Sequence, residues 1–403
     1  MMSKTAATNR PIYLDHHATT PTDPRVLKAM LPFFSEQFGN PHSIQHVIGR
    51  TAAEAVEAAR AQVATLFGAD PREIVFTSGA TESNNIAIKG AAWFAREHQG
   101  KDHIVTAVSE HKCVLESCAR LERQGFRVTY LPVDRNCQVD LDALADAIED
   151  KTILVSLMAA QNEVGSLAPV EAIGALTRER GVLFHTDAAQ AIGKMPLDVD
   201  AANIDLMSIS GHKVYGPKGV GVLYVRRRPR ARLEPLFDGG GQERGVRSGT
   251  VAPALVVGIG EACEVAGAGM ADENERLLAL RTRMWGRIEK ALPDTMLNGD
   301  LDGRLAGNLN MSFPDIDGTA LIEALSEDVC VSSGSACTSG SVESSYVLRA
   351  MGLSDAAAGS SLRIGIGRAT TEREVDAAAD RIVAEVERLR GARLNDRARG
   401  AAE

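Results

Sequence analysis

The sequence predicts an α/β protein: a larger part built on a mainly parallel sheet covered by helices, and a smaller α+β part. Three observations predict it. Short apolar runs alternate with Ala-rich helical patterns through the first two-thirds of the chain, the pattern of parallel strands joined by crossover helices. After about Val265 the texture changes to a long charged helical pattern followed by a further strand. The 403 residues, 44% apolar and 24% charged, suffice for about two or three domains without disulfide or metal staples.

Taken in order, a helical stretch over 50–66 precedes the first strand, Ile74-Val75-Phe76, and a helical pattern follows over 81–89. Strands are expected over 104–108, 128–131, 153–158, 182–185, 206–210 and 220–225, with a helix at 141–149 among them. The second part opens with a helix over 272–292 and a strand over 308–313. We therefore expect a large domain over 16–265 and a small domain from 1–15 and 266–390. The stretch 391–403 is Ala, Arg and Gly with little apolar content, which predicts a frayed or disordered tail.

Composition excludes several functions. Lys plus Arg number 44 against 53 Asp plus Glu, a net charge of −9, so direct contact with nucleic acid is not expected. Aromatics are 4%, too few for base-stacking platforms. No apolar run approaches the ~20 residues needed to cross a bilayer, and residues 1–10 lack the apolar core of a signal peptide, so a cytoplasmic protein without membrane contact is expected. The six cysteines form no Cys-x-x-Cys pair, which argues against a zinc site or a disulfide framework. No metal is expected.

Four features lie just past strand ends, where open parallel sheets place their ligands. The first is Thr77-Ser78-Gly79-Ala80-Thr81-Glu82. A helix starting there offers free N–H groups to an anion such as phosphate, although the same residues also make an ordinary capped turn. The second is Asp187 in His185-Thr186-Asp187-Ala188-Ala189-Gln190, a carboxylate that needs a charged or hydrogen-bonding partner if buried, or else a helix N-cap. The third is Lys213, in Ser208-Ile209-Ser210-Gly211-His212-Lys213 ahead of the loop Tyr215-Gly216-Pro217-Lys218-Gly219. It is either a solvated loop lysine or a Schiff-base nucleophile. The fourth is His111 in Ser109-Glu110-His111. Alone it reads as a structural histidine. Together, a phosphate cradle, a carboxylate for a ring nitrogen, a lysine amine and an imidazole to stack are the parts of a pyridoxal phosphate site.

These stretches carry a resemblance. With Ala18-Thr19-Thr20-Pro21, Gly39-Asn40-Pro41, the 77–90 segment, Gly239-Gly240-Gly241-Gln242-Glu243, Arg247-Ser248-Gly249-Thr250 and Ser332-Ser333-Gly334-Ser335-Ala336-Cys337-Thr338-Ser339, the sequence resembles the NifS/IscS-type cysteine desulfurases. These are class V members of the fold-type I pyridoxal-phosphate enzymes, with an aminotransferase-like large domain. The resemblance runs from Tyr13 to about Glu374. It implies that Lys213 carries the cofactor and moves the Cα proton, that Asp187 pairs with the ring nitrogen and that His111 stacks on the ring. It implies ring contacts from Asn162 and Gln190, and a phosphate site of Ala80, Thr81, Ser210 and His212, completed by Thr250 from the other subunit of a homodimer. Arg363 is implied to clamp the substrate carboxylate, a role that suits its planar fork.

The resemblance makes Cys337 the sulfur-accepting nucleophile. Its setting agrees, since the small polar residues over 332–341 cannot build a core and leave a thiol accessible. Cys330, in an alternating run, reads as structural. Cys113, Cys118 and Cys263 read as ordinary helix residues, and Cys137 as an exposed turn residue. The expected reaction converts L-cysteine to L-alanine and passes sulfur as a persulfide to an acceptor protein such as an iron–sulfur scaffold, or toward other sulfur cofactors and thiolated tRNA. The long Cys337 loop is similar to that of the iron–sulfur assembly and nitrogenase-associated group. Two departures stand out: Gln161 where the family usually has Asn, and a C-terminal stretch unlike the docking tail of the iron–sulfur assembly members. A selenocysteine lyase or aminotransferase of the same fold, or a non-catalytic sulfur-relay scaffold, are the alternatives.

Overall fold

The computed structural model describes residues 11–333 and 344–400, with side chains as far as Arg393. The expected nucleophile Cys337 lies outside the described residues. Strands in chain order are β1 (Ile12–Tyr13), β2 (Ile74–Thr77), β3 (His103–Ala107), β4 (Arg127–Leu131), β5 (Thr152–Ser156) and β6 (Leu183–Asp187). There follow β7 (Leu206–Ser210), β8 (Gly221–Val225), β9 (Met296–Leu297), β10 (Asn308–Ser312), β11 (Val329–Cys330) and β12 (Ser361–Gly365). The chain divides into two compact units, one of Thr19–Asn162 with Ser166–Ala271, the other of Met1–Ala18, Glu163–Gly165 and Asp272–Glu403.

The first unit holds a seven-stranded sheet in the order β2-β8-β7-β6-β5-β3-β4. Strands β4, β3, β5, β6 and β7 run parallel, as their apolar runs predict, whereas β8 pairs antiparallel with both β7 and β2. Strands β2, β3, β5 and β7 are buried at every residue, which is why short apolar runs mark them. The helix Ala80–Gln99 is longer than its 81–89 pattern suggests, and buries Ile86, Ala87, Ile88, Ala91, Ala92 and Ala95 against the sheet core. Gly100 in the left-handed conformation ends it, since glycine adopts that backbone without a Cβ penalty.

The second unit pairs β10 antiparallel with β12 and β9, and β1 parallel with β11. Leu309, Met311, Leu362 and Ile364 from the sheet pack with Leu280, Met284 and Ile288, and with Val375, Ile382 and Val386. Two helices depart from expectation. The charged pattern over 272–292 is the second part of one long helix, Pro253–Ala291; an Ala- and Gly-rich run precedes the charges and hides the start. An 18-residue window of that helix has mean hydropathy 1.4, so an apolar stretch long enough to span a membrane does exist. The helix buries Val256, Ile259, Ala262, Cys263 and Ala266, the behaviour of a core helix. The last helix, Glu372–Gly400, carries its backbone into the stretch expected to fray.

A buried ion pair ties the segment after β8 to β2. Arg60 grips Glu243 through both nitrogens at 2.8 Å, and Glu243 Oε2 also accepts from the Phe76 N–H at 2.8 Å. Both side chains are almost fully buried. Glu243 sits at φ +46, a left-handed backbone that favours glycine, and this pairing holds it there. Removing Glu243 leaves the buried Arg60 with only the exposed Glu57 carboxylate as ion partner, at 3.0 Å, so Glu243→Ala should lower stability by about 3 kcal/mol. Urea unfolding monitored by circular dichroism measures the loss.

Candidate active site

Strands β3, β5, β6 and β7 are parallel neighbours, so their carboxyl ends lie along one edge of the sheet. The loops leaving that edge carry Ser109-Glu110-His111, residues 158–162, Asp187–Gln190 and Ser210–Lys213. Chain direction alone thus gathers most of the residues singled out above.

Asp187 is the last residue of β6 and is buried. Its Oδ1 accepts from the Ala189 N–H at 2.9 Å, and its Oδ2 accepts from Asn84 Nδ2 at 2.6 Å. The first bond is the turn-capping contact that the sequence allowed; the second has no local counterpart. His111 precedes the helix Lys112–Glu122, with its Nδ1 accepting from the Cys113 N–H at 3.2 Å and lying 3.0 Å from Cys113 Sγ. Burial lowers its pKa, Asp187 pulls the other way, and the Lys213 charge lowers it further.

Lys213 closes the single turn Gly211–Lys213 after β7. Its loop is pinned from the start of the same unit. Thr20 Oγ1 donates to the His212 carbonyl at 3.0 Å and accepts from the Tyr215 N–H at 2.9 Å, and Thr19 Oγ1 sits 3.1 Å from His212 Nδ1. Burial, with Lys213 next in importance, pushes the His212 pKa down to about 4. The Ala18-Thr19-Thr20-Pro21 motif therefore acts as a brace for the lysine loop.

Ala80 and Thr81 open the helix Ala80–Gln99, whose N-cap Gly79 supplies no side-chain cap. The turn is shaped around that gap: Glu82 accepts from the Ser78 N–H at 2.8 Å and pairs with Arg247 at 2.8 Å, while Thr77 and Ser83 hydroxyls meet at 2.8 Å. A Cβ on Gly221 would lie 2.5 Å from Gly79 Cα, so only glycine lets β8 approach this turn. Uncapped N–H groups at the start of a 20-residue helix suit a phosphate. The buried carboxylate of Asp187 suits a protonated ring nitrogen. The donor set thus fits pyridoxal phosphate.

Ser210 and Gln190 are buried and Asn162 half-buried on these loops; Gln190 Oε1 accepts from Lys194 Nζ at 3.4 Å. Thr250 is exposed, after a turn held by the Gly249 N–H donating to Gln242 Oε1 at 2.8 Å. Arg363 belongs to the second unit, in β12 beside β10. It is no surface ion pair: only 2% of its side chain is exposed, and its Nη2 holds Asp15 Oδ1 at 2.9 Å.

Several residues of this edge escaped the sequence reading. Asn84 lies one helical turn after Thr81, and Cys113 two residues after His111, both inside helices. Glu110 is fully buried, and its Oε1 accepts from the Met158 N–H at 2.7 Å; burial holds its pKa well above the usual carboxylate range. His185 lies between Ser156 Oγ at 2.8 Å and Ser208 Oγ at 3.0 Å, its pKa pushed by burial to about 3. Cys137 is buried, not exposed, in a turn at φ +61. Among the described residues, Glu97, His98 and Glu234 each bring one ligand atom to within 4.8 Å of the others, with the first two exposed, an arrangement common on surfaces without an ion.

The family model for aminotransferase class-V matches residues 12–378. A cysteine desulfurase IscS of Rickettsia felis is 54% identical over 382 residues, covering 95% of this chain and 92% of that protein. A mitochondrial cysteine desulfurase of Drosophila melanogaster is 58% identical over 381 residues, 94% of this chain and 82% of that one. Among solved structures, a NifS-like protein superposes with a TM-score of 0.87 at 37% identity, over 94% of this chain and all of that chain. SspA in complex with cysteine superposes with a TM-score of 0.76 at 40% identity, over 88% and 98% of the two chains.

Proposed function

The chain belongs to the aminotransferase class-V family, and from that premise we propose that it is a pyridoxal-phosphate-dependent cysteine desulfurase. It converts L-cysteine to L-alanine and hands the sulfur on as a persulfide. The observation that carries this reading is the meeting of Asp187, Lys213 and His111 at one sheet edge, in a chain 54% identical to an IscS cysteine desulfurase over 95% of its length.

When bound, pyridoxal phosphate supplies a carbonyl that condenses with amines and a ring that draws electrons away from Cα. The chain supplies the rest. Lys213 offers the amine that holds the cofactor and takes and returns the Cα proton. Asp187, fixed by two hydrogen bonds, keeps a proton on the ring nitrogen. His111 stacks on the ring, and Asn162 and Gln190 contact it. The N-terminus of the helix Ala80–Gln99, with Ala80, Thr81, Ser210 and His212, receives the phosphate. Arg363 recognises the substrate carboxylate. The Cys337 thiolate takes the sulfur.

Exposed Thr250 completes the phosphate site of a second copy in a homodimer. Supporting this, Leu31, Phe34, Phe38, Ile44 and Val47 expose more than half of their surface within one short stretch, an apolar patch of the kind that marks an interface. The in-solution mass should be twice that of the chain; an active monomer would refute the arrangement. The sulfur acceptor is an iron–sulfur scaffold or another thiol-bearing carrier, and a reducing cytoplasmic setting keeps such thiols free.

Incubating the purified protein with L-cysteine and a reductant should release alanine and sulfide in equal amounts. A requirement for a keto acid would point to an aminotransferase, and turnover of selenocysteine alone to a lyase. Asp187→Ala should retain cofactor about 10- to 100-fold less tightly, the loss of one charge-assisted contact. Absorbance of the bound cofactor after dialysis measures it, and undiminished retention would remove Asp187 from its role.

A further inference from the structure

Four side chains of the first unit form a continuous path, and two of them, Asn84 and Cys113, have no part in the reaction scheme above. Asn84 Nδ2 reaches Asp187 Oδ2 at 2.6 Å and Cys113 Sγ at 3.1 Å. Cys113 Sγ in turn lies 3.0 Å from His111 Nδ1. Resting on the reading of the site above, we propose that Cys113 is a positioning residue: its S–H donates to Nδ1 of His111, and Asn84 ties that thiol to Asp187, so that the imidazole carries its proton on Nε2.

Each proton in this path is assigned by its neighbours. The Asp187 carboxylate only accepts, so the amide group facing it must be NH2 and not the carbonyl. That orientation leaves Asn84 Oδ1 buried without a hydrogen-bond partner among the described residues, a cost accepted for the Asp187 contact. The two amide protons of Nδ2 then serve Asp187 and the sulfur. With its acceptor side occupied, the thiol has its own proton free for Nδ1. It keeps that proton near neutral pH, because burial and the Asp187 charge push its pKa up to about 12.

Nδ1 also accepts the Cys113 backbone N–H at 3.2 Å. Two donors converge on it, and a neutral imidazole has a single acceptor nitrogen. The histidine is therefore a donor through Nε2. Donation to Nδ1 stabilises the neutral ring, in the same direction as burial and the Lys213 charge and against Asp187, the charged groups that act on it.

The test is a pH titration of His111 by nitrogen-15 NMR in the full-length holoenzyme, with His111→Gln identifying the resonance. Wild type should show an unprotonated Nδ1 and a protonated Nε2 at neutral pH. Cys113→Ala removes one donor and should raise the His111 pKa by about half to one unit. Cys113→Ser, which keeps a donor, should restore the wild-type value. Alanine formation by Cys113→Ala should fall about 3- to 10-fold in kcat with KM unchanged. A proton on Nδ1 in the wild type, or identical titration in wild type and Cys113→Ala, overturns the proposal even if the enzyme makes alanine. Failure to make alanine in wild type would instead overturn the reading of the site, while the titration would still report on Cys113. Thermal melts of both variants separate misfolding from the expected effect.

Discussion

Lys213→Ala should reduce alanine formation by about a thousandfold or more. On the proposed reading two contributions vanish together: the amine that holds the cofactor and the base that takes and returns the Cα proton. Positioned proton transfer alone is worth roughly 10²–10⁴ in rate. The fold should survive, since Lys213 ends a single turn whose backbone is braced by Thr20 at the His212 carbonyl and at the Tyr215 N–H. A second lysine provides the control. Lys194 reaches Gln190 Oε1 at 3.4 Å, close to the same loops, and Lys194→Ala should keep most turnover. If the two variants exchanged behaviour, Lys213 would be the wrong lysine. A further sign can be read from His111. In the cofactor-free protein the Lys213 charge disfavours the imidazolium, so its removal there should raise the His111 pKa.

Most of the sheet is legible in the sequence because its strands are buried on both faces. A short, mostly apolar run such as Leu206–Ser210 has few other readings, and the strand matches its predicted bounds. The direction of a strand is not written in its composition. Gly221–Val225 looks like its parallel neighbours, yet it turns back from the Gly216–Gly219 loop to pair antiparallel with β7. The long helix Pro253–Ala291 shows the opposite difficulty: its charged part is visible and its small-residue part is not. At the candidate site, residues in the loops were legible because Gly, Ser, Asp, His and Lys just past strand ends have few structural reasons to cluster there. Asn84 and Cys113 sit inside helical patterns, where their side chains look like ordinary filler. What marks them is a contact of Asn84 to Asp187 across 103 positions and one to Cys113 across 29, and sequence spacing does not reveal such pairs.

Cys337→Ser should abolish persulfide formation and sulfide release while leaving the earlier steps in place. The residues proposed to bind cofactor and move the Cα proton, Lys213, Asp187 and His111, lie in the first unit, where Asp187 is held by Asn84 and His111 by Cys113. These roles precede sulfur transfer and do not depend on a thiol at 337. Cofactor content and the spectral response to added L-cysteine should therefore match wild type. Cleavage of the substrate C–S bond needs a nucleophile to take the sulfur, and near neutral pH a serine hydroxyl is a far weaker one than a thiolate. The other described thiols are poor substitutes: burial pushes Cys118 and Cys263 up to about 12, and Cys113, with Asp187 adding to burial, to the same value. Cys330 lies in β11 paired with Tyr13, and its pKa is raised by burial and by Asp15, so Cys330→Ser should alter stability more than sulfur transfer. Mass spectrometry of wild type after brief exposure to cysteine without reductant should find one added sulfur atom on the peptide that contains Cys337. Loss of sulfide release should be at least about a hundredfold in Cys337→Ser. A first sulfur adduct on Cys113 or Cys330, or wild-type sulfide release by Cys337→Ser, would move the nucleophile elsewhere in the chain.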